Sequence, residues 1–129
     1  MNMKNTIRLN FFSDSKKWHR RIPKIKKISP KIINKMNTYF KKSYFISLNL
    51  IFSDKKRMKK LNAKYKNEYK DTDVLTFVSK ISNKELGIFL YCDIFFSIDT
   101  IENYIIKNNL DLYDHYTHLL IHSVLHING

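Results

Sequence analysis

The sequence predicts an α+β fold: a single mixed sheet of about four strands covered by helices, with a histidine motif on the last helix. Three observations carry this. Strand-like and helix-like segments follow in the order β, α, β, α, β, β, α, α, which one sheet with helices packed on it accommodates most simply. The chain has 129 residues, 43% of them hydrophobic, which is one domain's worth (1–129) and enough for one core. No Gly-rich loop follows a strand, so a phosphate-cradling nucleotide fold, and with it a nucleotide cofactor, is not expected.

Thr6 to Phe12 alternates with a short apolar face and reads as a first strand. Residues 13–28 are dense in Lys and Arg, hold Pro23 and show no clean period, and read as a basic loop or arm with room for a short turn of helix. Ser29-Pro30 reads as a helix start, since Ser can cap and Pro fits the first helical position. Ile32, Ile33, Met36, Tyr39 and Phe40 then follow helical spacing to about Lys42. Tyr44 to Phe52 is rich in aromatic and β-branched residues and reads as a second strand. Ser53-Asp54 can cap a basic helix running through Met58, Leu61 and Tyr65, and a polar loop follows from Lys66 to Asp71. Asp73 to Ser79 and Leu86 to Ser97 read as the third and fourth strands, with a hairpin loop at Ser82-Asn83-Lys84. Ser97 or Asp99 caps a helix carrying Ile101, Tyr104 and Ile105, and Asp111 or a neighbour starts the last one.

The formal net charge is +13, from 24 Lys and Arg against 11 Asp and Glu. Such an excess attracts polyanions, and nucleic acid is the commonest in a cytoplasm. Richness in Lys, Asn, Ile, Phe and Tyr, all with A/T-rich codons, offers a second source for the lysines. A lone cysteine, Cys92, gives no internal disulfide framework and suits a reducing compartment. No apolar run approaches the ~18 residues of a membrane span, and the start of the chain shows no signal-peptide pattern. The expectation is a cytoplasmic protein with no membrane partner.

His122 and His126 are one helical turn apart in His118-Leu-Leu-Ile-His122-Ser-Val-Leu-His126-Ile-Asn-Gly129. Residues i and i+4 lie on one helix face, roughly 6 Å apart along the axis, and two imidazoles held so can grip one transition-metal ion such as zinc. At about 100° per residue, His115, His118, His122 and His126 fall in one arc of roughly 80°, flanked on both sides by apolar residues. Roughly 12 Å of rise separates His118 from His126, so the candidate pairs are His118/His122 and His122/His126. His115 lies a turn further off and is expected at the mouth or on the surface. A solvated polar stripe would give the same pattern. A zinc peptidase needs Glu directly after the first histidine as general base, and Ser123 stands there.

These residues resemble the bacterial YbeY endoribonuclease, or rRNA maturation factor, family, whose signature is His-Gly-x-Leu-His-Leu-x-Gly-Tyr-Asp-His. The run His122 to Gly129 is similar to its first eight positions, with Ser123 for Gly and Ile127 for Leu. His118, four residues earlier, also occurs in family members. Leu61-Asn-Ala-Lys64-Tyr-Lys66 and then Asp71-Thr-Asp73-Val-Leu-Thr-Phe77 look like the block Leu-Asn-x-x-Tyr-Arg…Pro-Thr-(Asp/Asn)-Val-Leu-Ser-Phe, and Tyr91-Cys-Asp93-Ile94 stands for Leu-Gly-Asp-Ile. The blocks occur in the family's order and cover roughly residues 49 to 129.

The resemblance implies a zinc-dependent hydrolase acting on single-stranded RNA, maturing the 3′ end of small-subunit rRNA and serving ribosome quality control. It implies His122 and His126 as metal ligands to one Zn2+ per chain, and a third histidine three residues past Gly129, which the sequence does not reach, nor the family's tail helix. A complete site leaves an open position for water, whose pKa falls from ~15.7 to ~7. Lys66 stands where the family has an arginine lining the RNA groove; it keeps the charge but loses the planar fork. Lys66 and Lys64 are the residues to hold phosphate, with Lys66 and His118 the candidate catalytic groups beside the metal. Asp73 and Asp93 read as hydrogen-bonders at strand ends, not ligands. Ser123, in place of a Gly, is expected to crowd the backbone near the site, and Cys92 replaces another Gly. Partners would be rRNA and the small ribosomal subunit. The alternative is a non-catalytic RNA- or ribosome-binding remnant; a metallopeptidase fits least.

Overall fold

The computed structural model describes residues 6–40, 44–66 and 72–127. Strand β1 (Thr6–Ser13) leads through a short 3-10 turn, Lys16–Trp18, into helix α1 (Ile22–Met36). Then come β2 (Tyr44–Ser53), α2 (Lys55–Leu61), β3 (Val74–Asn83), β4 (Gly87–Ser97), α3 (Ile98–Asn108) and α4 (Leu112–Ile127). The four strands form one mixed sheet in the order β1-β2-β4-β3, with β1, β2 and β4 parallel and β3 antiparallel to β4. The α+β arrangement and strand number match the sequence expectation.

Alternation of side chains decides what each face of the sheet covers. One face carries Leu48, Leu50 and Phe52 of β2 and Cys92, Ile94 and Phe96 of β4, and packs with α1, α3 and α4 into the main core. The other face is covered at one end by α2, where Met58, Leu61, Leu75 and Phe95 form a small second core. Across the middle of that second face a polar ladder joins three strands: Asn10 donates to Asn49 Oδ1 at 3.0 Å, and Asn49 donates to Asp93 Oδ1 at 2.8 Å. Asp93 thus accepts a cross-strand hydrogen bond from the middle of β4, not at a strand end. Burial beside Asp93 pushes the Cys92 thiol up to about 12, with Asp93 adding to the rise, so Cys92 packs as a small apolar group.

The start of α1 corrects the reading of residues 13–28. It is not a loop throughout: the helix begins at Ile22, with Pro23 in its first turn, and Pro30 sits inside it rather than at its start. An interior proline costs about 3 kcal/mol of helix stability. The continuous apolar stripe of Ile25, Ile33 and Met36, all buried, offsets that cost. Ser29, read as a cap, is instead fully buried in mid-helix; its hydroxyl bonds the Ile25 carbonyl and the Tyr116 hydroxyl, each at 2.6 Å. The helix ends at Met36 and tightens into a 3-10 turn, Asn37–Tyr39; the expected end near Lys42 lies outside the described residues.

The remaining punctuation follows the chain. Asp54 caps α2, accepting from Arg57 N at 3.1 Å, and Asp111 caps α4, accepting from Tyr113 N and Asp114 N at 3.0 and 3.1 Å. α2 relaxes into a wider π turn at Asn62–Lys66; the polar loop expected next, 67–71, lies outside the described residues. Asp99 ties three elements together: it takes Lys17 Nζ at 2.6 Å and the N–H of Lys55 at 2.9 Å. Burial works to raise the Asp99 pKa, but these donors prevail and hold it below the ordinary carboxylate value. No helix among the described residues is long and apolar enough to cross a membrane.

Trp18 closes the main core. It is fully buried, lies edge-on to Phe52 at 5.1 Å, and donates its indole N–H to the Ser53 carbonyl at 2.6 Å. Trp18→Phe keeps most of the apolar contact but leaves that carbonyl unpaired, so a loss of about 1–3 kcal/mol is expected in urea unfolding. An unchanged midpoint would contradict a structural role for this bond.

Candidate metal and RNA site

The histidine row comes from a single helix, and α4 is rotated by its buried side. Leu112, Tyr116, Leu119, Leu120, Ser123 and Val124 face the core. The 3.6-residue repeat then sends His118, His122 and His126 to an exposed flank. The four rings follow one another: His115 and His118 centroids are 6.3 Å apart, His118 and His122 6.4 Å, His122 and His126 4.4 Å. The expected row along one flank is what the geometry shows.

Within the row one pair converges. His122 Nε2 and His126 Nε2 stand 2.9 Å apart, close enough for one ring to donate to the other. Two nitrogens sharing a tetrahedral zinc at ~2.0–2.1 Å stand roughly 3.3 Å apart, so a small rotation turns this pair into a two-toothed grip. The donor chemistry fits: both are imidazole nitrogens and both rings are exposed. Among the described residues, no group of three His, Cys, Asp or Glu gathers to hold a metal ion. The pair supplies half of a tetrahedral shell.

His115 departs from expectation. It was expected at the mouth or surface, but its exposure is only 8%, and its ring stacks on Tyr104 of α3 at 4.7 Å. On the helical wheel it lies within roughly 40° of Leu119, near the buried stripe. The seat on Tyr104 needs α3 folded back against α4, a contact no spacing within either helix reveals. Among the described residues, His115 Nε2 has no hydrogen-bond partner. Burial lowers the His115 pKa below its ordinary value of 6.5; Asp73 opposes that and His118 adds to it.

Ser123 is buried, and its hydroxyl donates to the Leu119 carbonyl at 2.8 Å, so it fits the packed side of α4 and points its oxygen into the helix. It offers no base where a peptidase needs one. On the other side of the sheet edge, the π turn carries Lys64 and Tyr65. Lys64 is exposed, with Nζ 5.1 Å from the Tyr65 ring centroid, and Tyr65 lies edge-on to Phe77 at 5.3 Å. Lys66 closes this turn, and its side chain lies outside the described residues, as do Asn128 and Gly129. π turns occur often at functional sites. Tyr104 is visible in the sequence only as a helix position, and Tyr65 and Phe77 only as members of the family-like blocks; no spacing assigns any of the three a place beside the site.

A family model described as Endoribonuclease YbeY matches residues 12–129. Endoribonuclease YbeY of Ehrlichia chaffeensis is 34% identical over 119 residues, covering 87% of this chain and 71% of the relative. Its counterpart in Mycoplasma capricolum is 27% identical over 130 residues, covering 95% of this chain and 75% of the relative. The solution structure of TM1509 from Thermotoga maritima shares the fold, with a TM-score of 0.61 at 20% identity over 94% of this chain and 72% of that one.

Because the native state keeps His115 neutral, the unfolded chain binds more protons than the folded one just below pH 6.5. Stability therefore falls as pH drops through that window, and levels once the folded His115 also protonates. Urea unfolding at a series of pH values should show this slope, and His115→Phe should flatten it. Direct NMR titration should place His115 below its ordinary 6.5; a value at or above 6.5 would refute the burial argument.

Proposed function

The chain belongs to the Endoribonuclease YbeY family, and on that premise we propose that it is a zinc-dependent, single-strand-specific endoribonuclease. Its work is rRNA processing in the cytoplasm: maturation of the 3′ end of the small-subunit rRNA and quality control of ribosomes, with the small subunit as partner. The observation that carries the reading is the convergence of His122 Nε2 and His126 Nε2 at 2.9 Å. Support comes also from the net charge of +13, which suits a polyanionic substrate.

His122 and His126 would hold one zinc ion together with a donor from beyond the described residues. When bound, zinc supplies Lewis acidity toward a phosphoryl oxygen and acidifies a water held at the open position. The protein's own groups do the rest. Lys64 and Lys66 hold the phosphate and balance the negative charge that develops as the phosphodiester is attacked. His118, one turn before the pair and exposed, would take or give a proton. A rival reading, an RNA- or ribosome-binding protein without catalysis, needs only the basic surface and no metal.

One set of measurements separates the two. Zinc content of the purified protein, read with cleavage of a single-stranded RNA and of the same sequence as duplex, should show one zinc per chain and chelator-sensitive cutting of the single strand. His122→Ala should lower zinc content and cut cleavage by at least about 100-fold, since even outer partners of ligands are worth 10–100-fold. Circular dichroism of the variant checks that the fold survives. RNA binding that ignores both chelator and His122→Ala, with no cleavage, establishes the non-catalytic reading instead.

A further inference from the structure

The site just described leaves most of the positive charge unused. Residues 16–35 hold nine Lys and Arg and not one Asp or Glu. A codon bias toward lysine would not by itself strip the same stretch of acids. The fold lays this segment along one side of the molecule as the 3-10 turn and α1, with its apolar stripe turned into the core.

Two of the nine charges are spent within the protein. Lys17 pairs with Asp99 at 2.6 Å and Arg21 with Glu102 at 3.0 Å, and both contacts fasten the segment to α3. Five of the others, Lys16, Arg20, Lys24, Lys31 and Lys35, line a surface. An open groove of 660 Å³ runs beside Lys16, Arg20 and Tyr113, and a second of 280 Å³ runs beside Lys24, Lys31, Lys35 and the same Tyr113. Tyr113 forms a floor common to both, and Lys24 Nζ rests 4.3 Å from its ring centroid, which holds that charge at the rim. Asp111 and Asp114 also line the second groove, but the Asp111 carboxylate is taken up in capping α4. Lys24 to Lys35 spans roughly 16 Å of helix, the reach of several nucleotides of backbone.

The position is as telling as the charge. Tyr113, which faces both grooves, lies roughly 140–180° around α4 from His118, His122 and His126, and Thr117, which faces the second, roughly 100–180°. The ridge is therefore on the opposite side of α4 from the histidine row. A helix body is about 10–12 Å across, and Tyr113 lies nine residues before His122, roughly 14 Å along the axis, so a strand of several nucleotides is long enough to reach both. A lipid surface is the poorer match: membrane-surface helices keep an apolar face free for insertion, and the apolar face of α1 is buried.

We propose that this ridge is a second RNA-binding surface, built by Lys16, Arg20, Lys24, Lys31 and Lys35, that grips the phosphate backbone of RNA flanking the segment presented to the histidine row. It rests on the nuclease reading only for the choice of RNA as the polyanion. Such contacts read charge and not sequence, so they act as an anchor.

The test uses the full chain and a variant carrying Lys24→Gln, Lys31→Gln and Lys35→Gln, exposed residues away from the histidine row. Binding of a 40-nucleotide RNA and a 6-nucleotide RNA is followed by fluorescence anisotropy over a range of salt. The expected result is affinity for the long RNA reduced by about tenfold or more, and a salt slope shallower by about 2, as three lost phosphate contacts require. Cleavage of the short RNA should stay within about twofold of the wild type. Equal affinity and slope in the two proteins overturns the ridge and leaves the nuclease reading standing. Failure of the wild type to cut either RNA overturns the nuclease reading, while lysine-dependent binding of the long RNA still supports the ridge. Binding of the wild type to anionic phosphatidylglycerol vesicles, lost in the variant, with RNA binding unchanged, assigns the ridge to a lipid surface and overturns the proposal.

Discussion

The seat of Tyr116 governs what this protein presents to solvent. The ring is fully buried among Phe52 at 6.0 Å and Phe96 at 5.1 Å, and its hydroxyl meets the Ser29 hydroxyl at 2.6 Å. That one side chain joins the sheet, α1 and α4. Burial pushes its phenol pKa well up, with the Ser29 contact opposing, so it stays a neutral hydrogen-bonding group at any physiological pH. A helix fixed at one angle by a buried aromatic has no freedom to turn its other faces. Tyr116, with the rest of the buried side of α4, sets His118, His122 and His126 on one flank and Tyr113 and Thr117 on the other.

The sequence carried the order and type of the elements because each pattern had a local cause. Alternation in β2 reflects a strand with one face in the main core, and Asp54 and Asp111 cap helices where a carboxylate can reach free N–H groups. The start of α1 was not legible for a physical reason. Pro30 and the density of lysine argue locally against a helix interior, and only burial of Ile25 and Ile33 against the sheet outweighs them. Tertiary packing overrode a local signal. The histidine row was legible because it lies on one helix, whose periodicity is known in advance. The burial of His115 was not, since Tyr104 belongs to another helix.

The two sides of α4 divide the polar work. On one, the paired imidazoles offer directional nitrogen donors suited to a transition-metal ion. On the other, ammonium and guanidinium groups offer long-range, undirected attraction suited to a charged polymer. The first kind of interaction needs an exact distance and tolerates no displacement. The second tolerates a good deal, which is why it can be built from flexible lysines along a helix interrupted by a proline. The ion pairs Lys17–Asp99 and Arg21–Glu102 join the two regimes, because they hold the basic segment to α3, whose Tyr104 in turn backs His115.

The far half of β3 has a different consequence. It is the outermost strand next to β4, and its residues from Val78 to Asn83 are exposed, with Val78 45% and Ile81 54% open to solvent. A bare rim of this kind invites a neighbouring molecule to add its own strand and so begin aggregation. Lys80 and Lys84 stand on that hairpin, and like charges brought together there repel. The same residue type that suits a polyanion along α1 works here against edge-to-edge pairing.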